Sequence, residues 1–546
     1  MLSPSCKLTI ALLAFITHAS FVEAATARYR CMWRDDPATT MVIGWDQVSG
    51  HSPELFYDVV DFGQQVSAYR NSLQPQRVVV AKGMHNHFVR LTGLRPNTVY
   101  YFLIKDSEGM SQRMSFQTTP HTPDERLSII SGGDSRNNRE ARRDANRLVG
   151  KLRPHFVMFN GDMTAGDTNQ EWRDWFDDWQ ETMGSDNRLF PVVAARGNHE
   201  ASNATITELF DVSSADVHYA LTFGGNLLRV YTLNSMIAPG GSQRDWLEGD
   251  LRASKDVLWK MAQYHHPIRP HTARKPEKDE LLINWATLFH KYRVDLVSES
   301  DAHVVKATYP IRPSQEPGSE EGFIRDDREG TVYVGEGCWG APLREANDDK
   351  SWTLASGSFN SFQWVMVSRE KIEVRTIRTD GSRQVAEVNH SNIFEPPIGL
   401  VIWNPPAGDV IYIYPHATRA PLTYPALADP PQQETPKTTP EPPPPSRPEK
   451  TKDDKPTDPN DWSAFPKVSP NSKGDVTVRF TLAQVTDVTV QLISREWKPL
   501  AKIDFPRQPA GDGSKSIGLG SVPAGEYLLV IKGAEKILQR YHLVVP

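Results

Sequence analysis

"YRVDLVSESDAH", Tyr292–His303, runs from an apolar, β-branched stretch straight into hydroxyl, carboxylate and imidazole. Four other stretches share that texture: "LSIISGGDSR" (Leu127–Arg136), "FVMFNGDM" (Phe156–Met163), "FPVVAARGNHE" (Phe190–Glu200) and "LWKMAQYHHP" (Leu258–Pro267). Short apolar runs that end in turn and polar residues predict buried strands. Between several of them lie helix-like stretches such as "EWRDWFDDWQETM" (Glu171–Met183) and "DELLINWATLFHKY" (Asp279–Tyr292). Strand alternating with helix predicts a layered α/β domain with helices outside the sheet. In such sheets ligands are held at strand ends, which is where the polar residues fall.

Taken singly, those residues have ordinary explanations. Asp134 or Asp162 alone reads as a helix cap, Asn198 before His199 as a turn, and the His265–His266 pair as surface or packing. As a set they are harder to dismiss, because five successive strands each deliver a carboxylate, amide or imidazole at one edge. Oxygen and nitrogen donors without thiolate suit Zn, Mn, Fe or Mg.

Outward from this core the chain changes character. At 546 residues it is too long for one ordinary core, and its charge, 61 Lys and Arg against 67 Asp and Glu, gives no electrostatic reason to expect nucleic acid. Residues 1–24 read as a secretory signal peptide: Lys7, the apolar "LTIALLAFI", then "VEA" before Ala25. Over 25–120, "TMVIGW", "RVVVAK", "HFVRLTGL" and "VYYFLI" predict a β-sandwich, and Tyr100 in "LTGLRPNTVYYF" resembles the corner of a fibronectin type III domain. Residues 121–400 hold the α/β region, and 401–426 are either its end or an irregular extension. Residues 427–461 are a Pro-rich, charged linker, and 462–546 alternate as a second β-sandwich. Of three cysteines, Cys6 leaves with the signal, and Cys31 and Cys338 are expected as isolated thiols, with a bridge between them left open.

"GGDSR", "NGDM", "RGNHE", "YHHP" and "SDAH", in this order, resemble the calcineurin-like metallophosphoesterases, and within them the purple acid phosphatase branch. "YTLNS" and "SQRDWLEGDL" are similar to further segments of that family, and the likeness spans about residues 26 to 380. It implies a central α/β metallophosphoesterase, two β-sandwich sheets flanked by helices, between N- and C-terminal β-sandwiches. By resemblance, Asp134, Asp162 and His303 hold one metal. Asp162, Asn198, His265 and Asp301 hold a second, with Asp162 bridging. His199 and His271 are the implied catalytic histidines, His266 competing with His271. Arg136, Asn198 and His199 are implied to bind substrate, with Arg269 a further arginine for phosphate. Asp167 and Glu200 are expected to orient the ligands.

Two positions depart from the family pattern. Asp301 stands where the family has a histidine, adding negative charge and favouring a harder ion. Ala165 stands where the purple branch has its iron-binding tyrosine, so no tyrosinate colour is expected.

The implied function is a dinuclear-metal phosphoesterase that hydrolyses small phosphate esters through a metal-activated hydroxide, with two ions of Fe, Zn or Mn. The alternatives are a phosphodiesterase, or a catalytically weakened relative kept as a surface or binding protein. The C-terminal strands, with the turn "PAGEYLL", resemble the sorting domains of bacterial type IX secretion. They imply export to the cell surface or beyond and contact with a secretion machinery.

Overall fold

The computed structural model describes residues 25–416 and, near the C-terminus, 467–468, 470, 475–482, 486–494, 499–508, 511–518, 522–533 and 536–545. The expected signal peptide, 1–24, and the expected Pro-rich linker, 427–461, lie outside the described residues. The chain divides into two compact units, 1–431 and 432–546.

In the first unit the five expected strands form at Leu127–Gly132, Phe156–Phe159, Val192–Ala194, Trp259–Gln263 and Leu296–Glu299. They belong to two different sheets. The first three pair in parallel within a ten-stranded sheet, and the last two pair in parallel within a seven-stranded one. Successive side chains of a strand point to opposite faces. Val230, Met261, Leu296 and Val332 therefore join the large core shared with the first sheet. Their neighbours Tyr231, Ala262, Val297 and Tyr333 join a second core under the helical stretches Ser242–Ala253 and 279–291. Strands buried on both faces read as predominantly apolar runs, and the polar residues these carry are bonded inside the fold, as Ser131 is to Ser298 and Gln263 to Thr232.

The helix Asn169–Trp179 is set by a capping box, in which Thr168 accepts from the Glu171 backbone while the Glu171 side chain accepts in return. Trp172, Trp175, Phe176 and Trp179 fall on one helical face and are all buried. Trp175 also reaches the end of the first strand, its indole N–H donating to Ser135 Oγ at 3.0 Å.

The N-terminal region has strands on two sheets, as expected, but it is not a separate body. Its strands Thr26–Met32, Met41–Gln47, Met84–Leu91 and Arg77–Ala81 continue the ten-stranded sheet, joined where Met32 pairs in parallel with Val192. The other four, Asn71–Leu73, Glu54–Asp58, Val99–Lys105 and Met114–Gln117, form their own sheet. Tyr100 stacks on Phe116, and its hydroxyl accepts from the Arg95 backbone at 2.8 Å. At the opposite edge of the long sheet Ile411–Ile413 pairs with Ile372–Arg378, so of the two readings of 401–426, the end of the catalytic region or an irregular extension, its described part continues the sheet.

The second unit contains a five-stranded sheet, Lys467–Val468, Lys536–Val545, Gly525–Gly533, Thr486–Ile493 and Pro499–Gln508, and a strand pair, Asp475–Leu482 with Gly511–Gly518. Its core is small and mostly β-branched: Val476, Val478, Val488, Val490 and Ile531 with Leu492, Leu529 and Leu543. Among the described residues no helix is long and apolar enough to cross a membrane. Cys31 and Cys338 are free and buried.

Candidate metal centre

The two sheets bring the ends of their parallel strands to one place. Between them run buried cross-links: Ser131 Oγ meets Ser298 Oγ at 2.8 Å, and Asn160 Nδ2 donates to the same Ser298 Oγ at 2.7 Å. His265 Nδ1 lies 3.0 Å from the Asn160 carbonyl. A carbonyl only accepts, so Nδ1 carries a proton and Nε2 is the nitrogen that faces the cluster. His303 is oriented the same way, with Nδ1 at 2.9 Å from the Pro342 carbonyl and Nε2 at 3.0 Å from Asp134 Oδ1.

Two donor groups result. Asp134, Asp162 and His303 place ligand atoms within 4.8 Å of one another, as do His265, His266 and Asp301. Asp162 links them, since its Oδ1 is 3.3 Å from His265 Nε2, while its buried Oδ2 has no hydrogen-bond partner. Asn198 Oδ1 is 3.0 Å from the same His265 nitrogen. Asp134 also reaches the second group, its Oδ2 accepting from the Asp301 backbone N–H at 2.9 Å. Asp134, Asp162, Asp301 and His303 all hold left-handed backbone, with φ of 58°, 53°, 67° and 56°. Asp and His tolerate that region better than most residues, and its concentration here turns consecutive loops inward.

The carboxylates dominate the electrostatics. Burial alone would favour neutral His265, but Asp162, Asp134 and Asp301 hold its pKa well above the ordinary imidazole value. Burial would raise the Asp162 pKa, yet His265 and His199 bring it down to about 2. Converging imidazole nitrogens, buried carboxylates and an orphaned carboxylate oxygen are a donor set that would fit divalent or trivalent metal ions, with Asp162 between the two groups.

Two glycines make the close approach possible. A Cβ on Gly197 would lie 2.2 Å from Asp162 Oδ1, and one on Gly337 2.0 Å from Asp134 Oδ2. Glu200 braces the loops from beneath, accepting from the backbone N–H groups of Asp162 at 3.0 Å, Met163 at 2.8 Å and Gly197 at 2.7 Å. Burial, together with the charge on Asp162, pushes its pKa up to about 7. Asp167 sits further out. It ties the segment after His199 to Lys82, Trp172 and Thr205 without touching the cluster.

His199 and Arg136 stand at the mouth, His199 Nε2 and Arg136 Nη1 each 3.7 Å from Asp162 Oδ2. His199 Nδ1 bonds the carbonyl of Ala165, the residue in the position of the family tyrosine.

The structure does not bring His271 to the cluster. It is fully buried in the second sheet's layer, its Nε2 2.8 Å from Thr353 Oγ1 and its ring against Trp352. His266, its competitor in sequence, joins the donor group instead. Arg269 is likewise consumed in the fold, bonding Asp279 at 2.7 Å and the Glu321 carbonyl at 2.6 Å.

Two residues at the site carry no sequence motif. Lys275 Nζ is 2.5 Å from Asp301 Oδ1, so the charge added by the departure from histidine has a local counter-charge. Arg344 Nη1 donates to the Asp301 carbonyl at 2.8 Å. Both lie in loops, and only the fold places them.

Residues 27–118 match the family "Purple acid Phosphatase, N-terminal domain", and residues 132–305 match "Calcineurin-like phosphoesterase". The chain is 25% identical over 283 residues to probable purple acid phosphatase 20 of Arabidopsis thaliana, covering 48% of this chain and 65% of that one. An uncharacterised protein of Mycobacterium tuberculosis is 27% identical over 335 residues, 50% of this chain and 60% of that one. The chain thus spans less than two-thirds of the length of these curated relatives. Among solved structures, a purple acid phosphatase from yellow lupin (Lupinus luteus) seeds superposes with a TM-score of 0.54 at 14% identity, over 68% of this chain and 76% of that one. PhoD gives 0.50 at 13%, over 70% and 89%. At those identities the superpositions speak to fold alone.

Proposed function

We propose that this chain, which carries a purple acid phosphatase N-terminal domain and a calcineurin-like phosphoesterase domain, is a dinuclear-metal hydrolase of small phosphate esters. The observation that carries the proposal is the pair of adjoining donor groups linked by Asp162, whose Oδ2 is buried without a partner. Asp134, Asp162 and His303 would hold one ion, and Asp162, Asn198, His265, His266 and Asp301 the other. Ions held there supply the positive charge that lowers the pKa of water and neutralises phosphate oxygens.

The chain's own residues do the rest. Arg136, beside Asp162, offers a planar cationic fork to a phosphate oxygen. His199 is partly exposed, with Nδ1 committed to the Ala165 carbonyl, so Nε2 is the atom free to exchange a proton with a leaving group at the mouth. Glu200 holds the Asp162 and Gly197 loops in register. Lys275 and Arg344 offset the charge of Asp301 and keep the mouth receptive to an anionic substrate.

The same reading takes the protein as exported, on the strength of the N-terminal signal pattern and the sorting-like C-terminal strands. Its test is hydrolysis of an aryl phosphate monoester and a diester across added Mn, Zn and Fe, in wild type and Asp162→Ala. Metal-dependent turnover lost in the variant supports the hydrolase, and the monoester-to-diester ratio defines the substrate class. No turnover under any ion leaves a surface-displayed relative without the chemistry.

A further inference from the structure

The parallel strands that end at the metal centre begin at a second cavity. Its volume is about 730 Å³, and it is lined by residues just before those strands, Arg126, His155 and Arg188 among them. Tyr101 and Arg113 of the N-terminal region and Phe394 of the segment after the last long strands also line it, and Asp61, Glu125 and Asp186 are the acids of its wall. A six-residue strand, Leu127–Gly132, separates this end of the sheet from the centre, so the two sites are roughly 15–20 Å apart along it.

Four arginines line the cavity, and three are paired. Arg113 is 3.1 Å from Asp61, Arg153 is 2.7 Å from Asp186 and 3.1 Å from Glu387, and Arg126 is 3.9 Å from Glu373 with its guanidinium 4.6 Å over Phe394. Arg188 differs. It is only 8% exposed, its guanidinium lies 5.1 Å over the Phe190 ring, its Nε is buried without a hydrogen-bond partner, and among the described residues no carboxylate lies within 4.0 Å of the guanidinium, the charge of Asp186 reaching it only from beyond that distance. Asp186, the nearest acid in sequence, is taken by Arg153 through both oxygens.

A buried cation without a counter-charge is costly, and folds that keep one have a partner for it. His155 adds a second donor. Its Nδ1 accepts from the Ser128 backbone N–H at 3.0 Å, which in the neutral ring leaves the proton on Nε2. Burial and the nearby Arg188 charge keep that ring neutral, with a pKa of about 4.

We infer that this cavity is a second, non-catalytic binding site for a small molecule bearing a phosphate or carboxylate group, which sits on Arg188 with His155 as an additional donor. The size suits more than a bare ion. Tyr101 and Phe394 give an aryl or alkyl body an apolar wall. The site is independent of what the metal centre does.

The test uses the full chain carrying Asp162→Ala, so that anion capture at the metal centre is removed, and measures binding of inorganic phosphate and of phenylphosphonate by titration calorimetry. One equivalent per chain is expected, weakened about tenfold or more by adding Arg188→Met and less by Arg188→Lys, which keeps the charge but not the fork. Tighter phenylphosphonate than phosphate identifies an organic anion as the occupant; the reverse identifies free phosphate. Should Arg188→Met fail to fold, Phe394→Ala at the rim takes its place and should weaken phenylphosphonate selectively. Binding unchanged by these substitutions, or no binding of either anion at about 10 mM, overturns the inference.

Discussion

Asp178, on the helix Asn169–Trp179, and Asp162, in the loop after the strand Phe156–Phe159, are both buried, and they meet opposite surroundings. Asp178 lies beneath three arginines, with Arg139, Arg142 and Arg143 at 2.8, 2.5 and 2.6 Å. Asp211 is similar, drawing Arg34, Arg77 and Arg90. Asp162 has two imidazoles, one arginine at 3.7 Å and a bare oxygen, with Asp134 and Asp301 close by. The first kind of carboxylate is saturated by arginine in the chain as folded, whereas the second keeps a buried oxygen without a hydrogen-bond partner, which the proposed reading assigns to a cation. That difference separates structural acids from functional ones here, and it can be attacked from either side.

The largest effect is expected at Asp162. Asp162→Ala should lower kcat/KM for an aryl phosphate by about a thousandfold or more on the proposed reading, and should cost less stability than the loss of Asp178, because its partners are two imidazoles that can shed their protons rather than three arginines. Asp178→Ala should do the reverse. It strands buried arginine charge and should cost roughly 3–5 kcal/mol in urea unfolding, with the folded fraction keeping its kcat. If both variants lose stability alike, the distinction drawn here fails.

Smaller effects sharpen it. His199→Gln should reduce kcat by roughly ten- to a hundredfold and leave metal content intact, since Nε2 faces the mouth. Lys275 is the one ammonium that treats a candidate ligand as a structural acid. Lys275→Met should free Asp301 and raise the affinity of the second ion by about tenfold, read by competition with a chelating dye. An unchanged affinity would place Asp301 with Asp178 and remove it from the ligand set.

The smallest expectation concerns acid. Burial works to raise the Asp178 pKa, but the bonds from Arg139 and Arg142 hold it below its ordinary 3.8. A depressed carboxylate contributes stability that is present above 3.8 and lost as pH falls through the lower folded value. Wild type should therefore lose more stability than Asp178→Asn as pH falls from 5 to 3, by urea unfolding, and an equal loss would contradict this.

The strand-end residues were legible because each follows an apolar run whose burial on two faces leaves little choice of residue. His271 misled because a histidine in a loop rich in histidine and proline looks available, and nothing local reports that Thr353 and Trp352, some eighty residues later, enclose it. Lys275 and Arg344 were invisible for the converse reason, as loop cations whose partner, Asp301, is distant in sequence. The N-terminal strands read correctly as strands. Their fusion into the phosphoesterase sheet rests on the pairing of Met32 with Val192, which no periodicity records.

The most direct measurement is the number of metal ions bound per chain, by elemental analysis of protein reconstituted with Mn, Zn or Fe, in wild type beside Asp162→Ala and Asp178→Asn. Close to two ions in wild type and in Asp178→Asn, falling to about one or none in Asp162→Ala, is the result predicted for a bridging carboxylate between two donor groups. Equal metal content in wild type and Asp162→Ala would contradict it.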